Sequence, residues 1–408
     1  MIKGKILEKY AELTVKIGVN LQKGQGLEIV CPVEKRDFAK ALTQAAYDAG
    51  AGIVRIRWDD EEINKLTYKH ADFKMLTEVP KWFVERRNYL VEKGFCYIAV
   101  SADDPAAYKD IPTERIAAVA KARGKALKKY SDAVMSNAVR WCVVSVPTEA
   151  WAKQVFPKSK KPVEELSEAI ENAMRLNYDD PVKAWENHIE TLDRRAKFLN
   201  GKNFEYIRFK NGLGTDLKVG LATDHIWTSA KEKAKDGVGF VANLPTEEIF
   251  TAPHRLKVDG TLKSAMPLCE NGKIIDDFSI TFKKGKIVSY SAEKGYDALK
   301  GLIETDKGTL RLGEIALIGK NSPIAKSGIL FYNTLFDENA SCHLAIGKGY
   351  PTTIKDGDKL TAAQLKEKGL NDSVEHIDFM IGTPDLSVVG IETDGTETIL
   401  FENGEWII

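Results

Sequence analysis

The chain has 408 residues, 43% hydrophobic and 29% charged, an ordinary globular balance with length for roughly two or three domains. Fifty-nine basic residues offset fifty-nine acidic ones, which argues against the strong field that recruits nucleic acid or an anionic membrane surface. The five cysteines (Cys31, Cys96, Cys142, Cys269 and Cys342) are scattered, odd in number and without a CxxC pair, which disfavours both a disulfide framework and a thiolate zinc site.

At the N-terminus, MIKGKILEKYAELTVKIGV spaces Ile2, Ile6, Tyr10, Leu13 and Ile17 as one face of a helix among lysines and glutamates. That pattern predicts an amphipathic helix rather than a signal peptide, and no later apolar run approaches the ~18 residues of a membrane span. A reducing cytoplasm is the expected location. GLEIVCPV, AGIVRIRW, GFCYIAVSA and WCVVSVPT then read as short strands buried on both faces of a mostly parallel sheet. Between them, KRDFAKALTQAAYDAGA and TERIAAVAKARGKALKKYSDAVMSNAVR read as helices, the βαβ rhythm of a doubly wound α/β domain. PVEELSEAIENAMRL and DDPVKAWENHIETLDRRAKFL close this part near residue 200. It contains neither GxGxxG after a strand nor a P-loop, so the α/β rhythm does not imply a nucleotide. His70 and His188 lie in charged helical stretches and read as surface or capping residues.

Beyond residue 200 the rhythm changes to α+β, rich in antiparallel strands. FEYIRFKNGLGTDLKVGLA, ENGKIIDDFSITFKKGKIVSYSAE and GIETDGTETILFENGEWII each alternate and carry NG, KG or DG turn signals. One clear helix, around GYDALKGLIETD, interrupts them. The expected domains are 1–200, α/β, and 201–408, which bears the metal site and catalysis.

The second part also holds the chemistry-bearing residues. LPTEEIFTAPH offers Glu247 and Glu248 on a proline-flanked loop, where capping a helix is an equal alternative. LGEIALIG puts Glu314 alone in an apolar strand, where a buried carboxylate needs a cation, an arginine or a proton. LFDENASCHLAIGKGYP crowds Asp337, Glu338, His343 and Tyr350. A helix from about Ala340 would put His343 and Tyr350 on one face, with Asp337 and Glu338 at its positive end. Gly347 and Gly349 would let another element approach closely. HIDFMIG reads as a strand with His376, Asp378 and Met380 on one face, a weak two-ligand platform by itself. Taken together, the carboxylates Glu248, Glu314, Glu338 and Asp378 and the imidazoles His343 and His376 are too many for one tetrahedral zinc and suit two ions sharing a carboxylate.

NLPTEEIFTAPHR, GEIALI, NSPIAKSGILFYNTLFDENASCHLAIGKGYP and HIDFMIG together resemble the aminopeptidase T/aminopeptidase S family of metallopeptidases, M29, over essentially the whole chain. The resemblance implies a cytoplasmic homodimer that removes N-terminal residues from peptides with a free N-terminus, using two divalent ions per subunit, zinc, cobalt or magnesium. It selects Glu248 over Glu247 and makes Glu314 the bridging ligand and His343, His376 and Asp378 further ligands. It assigns Glu338 as a ligand or general base and Tyr350 as the active-site tyrosine. Two alternatives remain at this point. A dinuclear phosphoesterase would need converging basic groups, for which His254, Arg255 and Lys326 are few. A metal-stabilised, non-catalytic peptide-binding protein is the other.

Overall fold

A computed structural model describes residues 2–102, 104, 107, 108, 110–270 and 273–408. They form two compact units, Met1–His188 with Lys231–Pro245, and Ile189–Ala230 with Thr246–Ile408. The boundary expected at residue 200 falls inside a single helix, Pro181–Lys202.

In the first unit four parallel strands lie in the order Ile53–Asp59, Gly26–Pro32, Cys96–Ser101, Trp141–Ser145. Gly26–Pro32 has neighbours on both sides and is buried nearly throughout. Ile53–Asp59 departs from the expected two-face burial, because as an edge strand it leaves Ile53 and Trp58 exposed. The N-terminal helix is Gly4–Leu13, with Tyr10, Ala11 and Leu13 buried. The long helix expected over 113–140 is two helices, Thr113–Ala126 and Lys128–Met135, parted where Leu127 leaves helical geometry (φ −96°, ψ 12°). The return segment 231–245 is fastened here by polar groups. Buried Arg140 donates to the Asp236 carboxylate and to the Val19 carbonyl at 3.1 Å, and Leu244 N–H donates to Val143 O at 3.0 Å.

The second unit contains a nine-stranded antiparallel sheet. Its hairpins follow their turn signals. Lys284–Gly285 and Asn403–Gly404 both have positive φ at their two central residues and close two-residue loops. The Asn271–Gly272 signal lies outside the described residues. The helix expected near GYDALKGLIETD is Tyr296–Ile303.

The same unit contains a smaller antiparallel sheet, ordered His376–Met380, His343–Gly347, Leu312–Leu317, Ile249–Thr251. Here the sequence expectation fails: His343 opens a fully buried strand, and the helix before it, Thr334–Asp337, ends in a 3-10 turn at Glu338–Ala340. The run HLAIG pairs with strands on both sides, and that pairing overrides the seven-residue spacing. The close approach expected of the glycines does occur. Gly347 has φ 104°, and a Cβ there would lie 2.2 Å from Glu375 O.

Candidate metal centre

Register explains how residues from distant segments converge. Glu314 pairs with Ala345, which pairs with Asp378; His343 lies between Ala316 and Met380; Gly347 pairs with His376. Directly paired residues project from the same face, and faces alternate along each strand. His343, Ala345 and Gly347 therefore share a face with Glu314, His376 and Asp378. Phe250 pairs with Ala316, and the pattern extends two residues back to Glu248. The bulge between Leu312 and Glu314 centres on Gly313, where a Cβ would lie 2.4 Å from Lys348 O. A bulge re-aims the side chain that follows. Ala345 and Ala316 lie between these groups on the same face, so the acidic and imidazole tips meet above small side chains.

His343 Nε2 is 3.3 Å from Glu248 Oε2 and 3.5 Å from Glu314 Oε1. His376 Nε2 is 3.2 Å from Asp378 Oδ1 and 4.0 Å from Glu314 Oε2. Two groups of donor atoms result, Glu248–Glu314–His343 and Glu314–His376–Asp378, each with its atoms within 4.8 Å of one another. Glu314 belongs to both and turns one oxygen toward each imidazole.

The other imidazole nitrogens face backbone carbonyls: His376 Nδ1 lies 2.7 Å from Lys348 O and His343 Nδ1 3.4 Å from Ser341 O. Such contacts fix ring orientation and leave Nε2 for the centre. Glu338, on the 3-10 turn, lies outside both groups and lines a small cavity with Asp378 and Met380. The Tyr350 ring packs against His376 at 4.8 Å between centroids and edge-on to Phe250 at 6.4 Å.

Burial makes the cluster electrostatically costly. It pushes the Glu314 carboxyl up, with His343 opposing. Burial also raises Glu338 well above the carboxylate range, and neighbouring Glu248 and Asp378 add to the rise. Asp378 is held low despite burial because His376 stands beside it. Burial opposes charge on both histidines. Even so, His343 is driven well up by Glu248 and Glu314, and His376 up to about 10 by Asp378 and Glu314. Asp378 Oδ1 is buried and accepts no aligned hydrogen bond. Oxygen and imidazole donors around shared negative charge, with a buried carboxylate oxygen whose one near partner is the His376 imidazole, fit divalent cations.

Sequence reasoning missed the supports. The Asp337 carboxylate accepts from Phe331 N–H at 2.7 Å and Asn333 N–H at 3.0 Å, bracing the loop before Glu338 rather than a helix dipole. Buried Asn339 accepts from Glu247 N–H at 2.7 Å. Arg311, which the sequence places near Glu314, instead donates to Arg255 O at 2.6 Å.

An acidic, histidine-bearing basin with one carboxylate common to two donor sets is the kind of centre used by metal-dependent hydrolases. Residues 3–406 match the family described as Thermophilic metalloprotease (M29). The chain belongs to that family of metal-dependent peptidases. Aminopeptidase AmpS of Bacillus subtilis (strain 168) is 43% identical over 402 residues, and Aminopeptidase 2 of Geobacillus stearothermophilus 41% over 404, each alignment covering 98% of both chains. A solved structure, wild-type AmpT from Thermus thermophilus, has the same fold at TM-score 0.92 and 36% identity, covering 99% of each chain.

Proposed function

We propose that the protein is a metal-dependent aminopeptidase, the activity its curated relatives are named for, and that its centre holds two divalent ions, zinc, cobalt or magnesium. The observation that carries the two-ion reading is Glu314, whose oxygens face different imidazoles at 3.5 and 4.0 Å. Glu248, Glu314 and His343 would hold one ion and Glu314, His376 and Asp378 the other. When bound, such ions lower the pKa of water and polarise a carbonyl.

Glu338, outside both donor groups, is suited to take a proton from the attacking water and return it to the departing amine, which is general acid–base work. Tyr350 supplies an O–H donor beside His376 for the oxyanion that develops on the scissile carbonyl. The α-amino group of the substrate is the feature that marks a chain end, and the acidic basin recognises it by charge. The phosphoesterase reading is disfavoured. Among the described residues, the ion pairs of Glu248, Glu314 and Asp378 are with His343 and His376 and not with an arginine or lysine. A non-catalytic binding role is disfavoured by the placement of Glu338 and Tyr350 around the same basin.

A homodimer is the proposed assembly, supported by the family resemblance and by exposed Ile63, Leu66, Met75 and Trp82 on the first unit. A cytoplasmic location is proposed on the same resemblance, and the five free cysteines suit a reducing compartment. No helix among the described residues is long and apolar enough to cross a membrane. The deciding experiment measures metal content and leucyl-anilide hydrolysis before chelation, after it, and after each ion is restored. Activity that survives complete metal removal would refute the proposal.

A further inference from the structure

Four of the six acidic and imidazole groups stand on strands within one sheet, but Glu248 and Glu338 do not. Glu248 lies on the irregular segment before Ile249–Thr251, and Glu338 on the turn Glu338–Ala340. Two carboxylates brought together at a buried centre repel, and neither of these is held in place by strand pairing on both sides. Their spacing therefore needs another restraint.

Asn339 provides one. Its Oδ1 accepts from Glu247 N–H at 2.7 Å, its Nδ2 donates to Leu335 O at 3.1 Å, and its own carbonyl accepts from Ser322 Oγ at 3.4 Å. The amide orientation is determined by these partners, because Glu247 N–H requires an oxygen and Leu335 O requires a donor. The side chain is fully buried, so water does not compete for either bond. One residue thus touches the backbone immediately before Glu248 and is itself the neighbour of Glu338. It spans 92 positions of sequence to do so.

We infer that Asn339 is a positioning residue that holds Glu248 and Glu338 in convergence before any ion arrives, and so sets the affinity of the Glu248–Glu314–His343 half of the centre. This rests on the two-ion reading above. Asn339 touches neither substrate nor ion and acts through Glu248 and Glu338. Outer contacts of this kind typically alter metal affinity by about 10- to 100-fold.

The test is zinc titration of chelator-treated, metal-free protein by calorimetry, wild type against Asn339→Ala. The wild type should take up two ions. The variant should lose about 10- to 100-fold in affinity for one of them and keep the other within about threefold. It should also lose kcat more than KM, a deficit partly rescued by excess zinc. A folded variant with both affinities unchanged overturns the inference while leaving the two-ion reading intact. A wild type that binds no zinc overturns both. Should Asn339→Ala fail to fold, amide hydrogen exchange on the metal-free wild type decides. The Glu247 N–H should be as protected without zinc as with it, and protection that appears only on loading would show that the ion, not Asn339, fixes the segment.

Discussion

Replacing Glu314 with glutamine preserves size while removing the charge common to both donor groups. The carboxamide offers one oxygen where the carboxylate offers two, so one imidazole-facing position gains an N–H donor in place of an acceptor. Losing one charge-assisted contact costs about 1.5–3 kcal/mol, or about 10- to 150-fold in affinity. With zinc at 100 times the Kd of a site, each ion bound to the wild type adds about 2.7 kcal/mol to stability. For units of this size that raises Tm by roughly 5–11 °C per ion. A variant binding each ion about 100-fold more weakly would gain only about 0.4 kcal/mol per ion at the same zinc, a shift of roughly 1–2 °C per ion. Metal-free Glu314→Gln should melt close to metal-free wild type, because relief of a buried carboxylate near Glu248 and Asp378 is offset by its lost pairing with His343 and His376. Turnover should fall at least about 1000-fold, given both ions weakened and the reaction dependent on each. The assays are differential scanning calorimetry with and without zinc, metal content after dialysis, and leucyl-anilide kinetics. A variant that keeps two ions, the wild-type zinc shift and near-normal turnover would refute the shared role of Glu314.

Tyr350→Phe should lower kcat by about 10- to 1000-fold and leave metal content unchanged, as expected for a donor used only in the transition state; loss of metal would instead make the tyrosine a support for His376. N-acetylation of a leucyl substrate should reduce kcat/KM by at least about 100-fold, the scale of one charge-assisted contact. Equal cleavage of blocked and free substrates would rule out recognition of the chain end. Light scattering at micromolar concentration should report twice the mass of one 45.3 kDa chain, and a monomer there would refute the homodimer.

Local chemistry made some elements legible and distance hid others. HIDFMIG alternates as expected in the strand His376–Met380, since one face meets the core and the other the centre. LGEIALIG similarly declares a buried strand, and its single acid is the shared carboxylate. HLAIG misled because it is buried on both faces and has no alternation to read, so periodicity could not separate helix from strand. Its neighbours, Leu312–Leu317 and His376–Met380, lie about thirty residues away on either side, and pairing at that range decides the matter. Asn339 and Arg140 were equally opaque. Each is an unremarkable polar residue until a partner nearly a hundred positions away, Glu247 or Asp236, is folded beside it.

The return of residues 231–245 to the first unit has a consequence for biosynthesis. On the ribosome, the strands ending at Ser145 emerge well before Asp236 and Leu244, the residues that satisfy Arg140 and Val143. Until then a guanidinium destined for full burial has no carboxylate partner. The first unit therefore remains incomplete while the opening strands of the second, Tyr206–Lys210 and Asp216–Leu221, are already outside the exit tunnel. A fragment ending at residue 200 would carry that vacancy permanently, and adding the segment back as a separate peptide should restore its cooperativity.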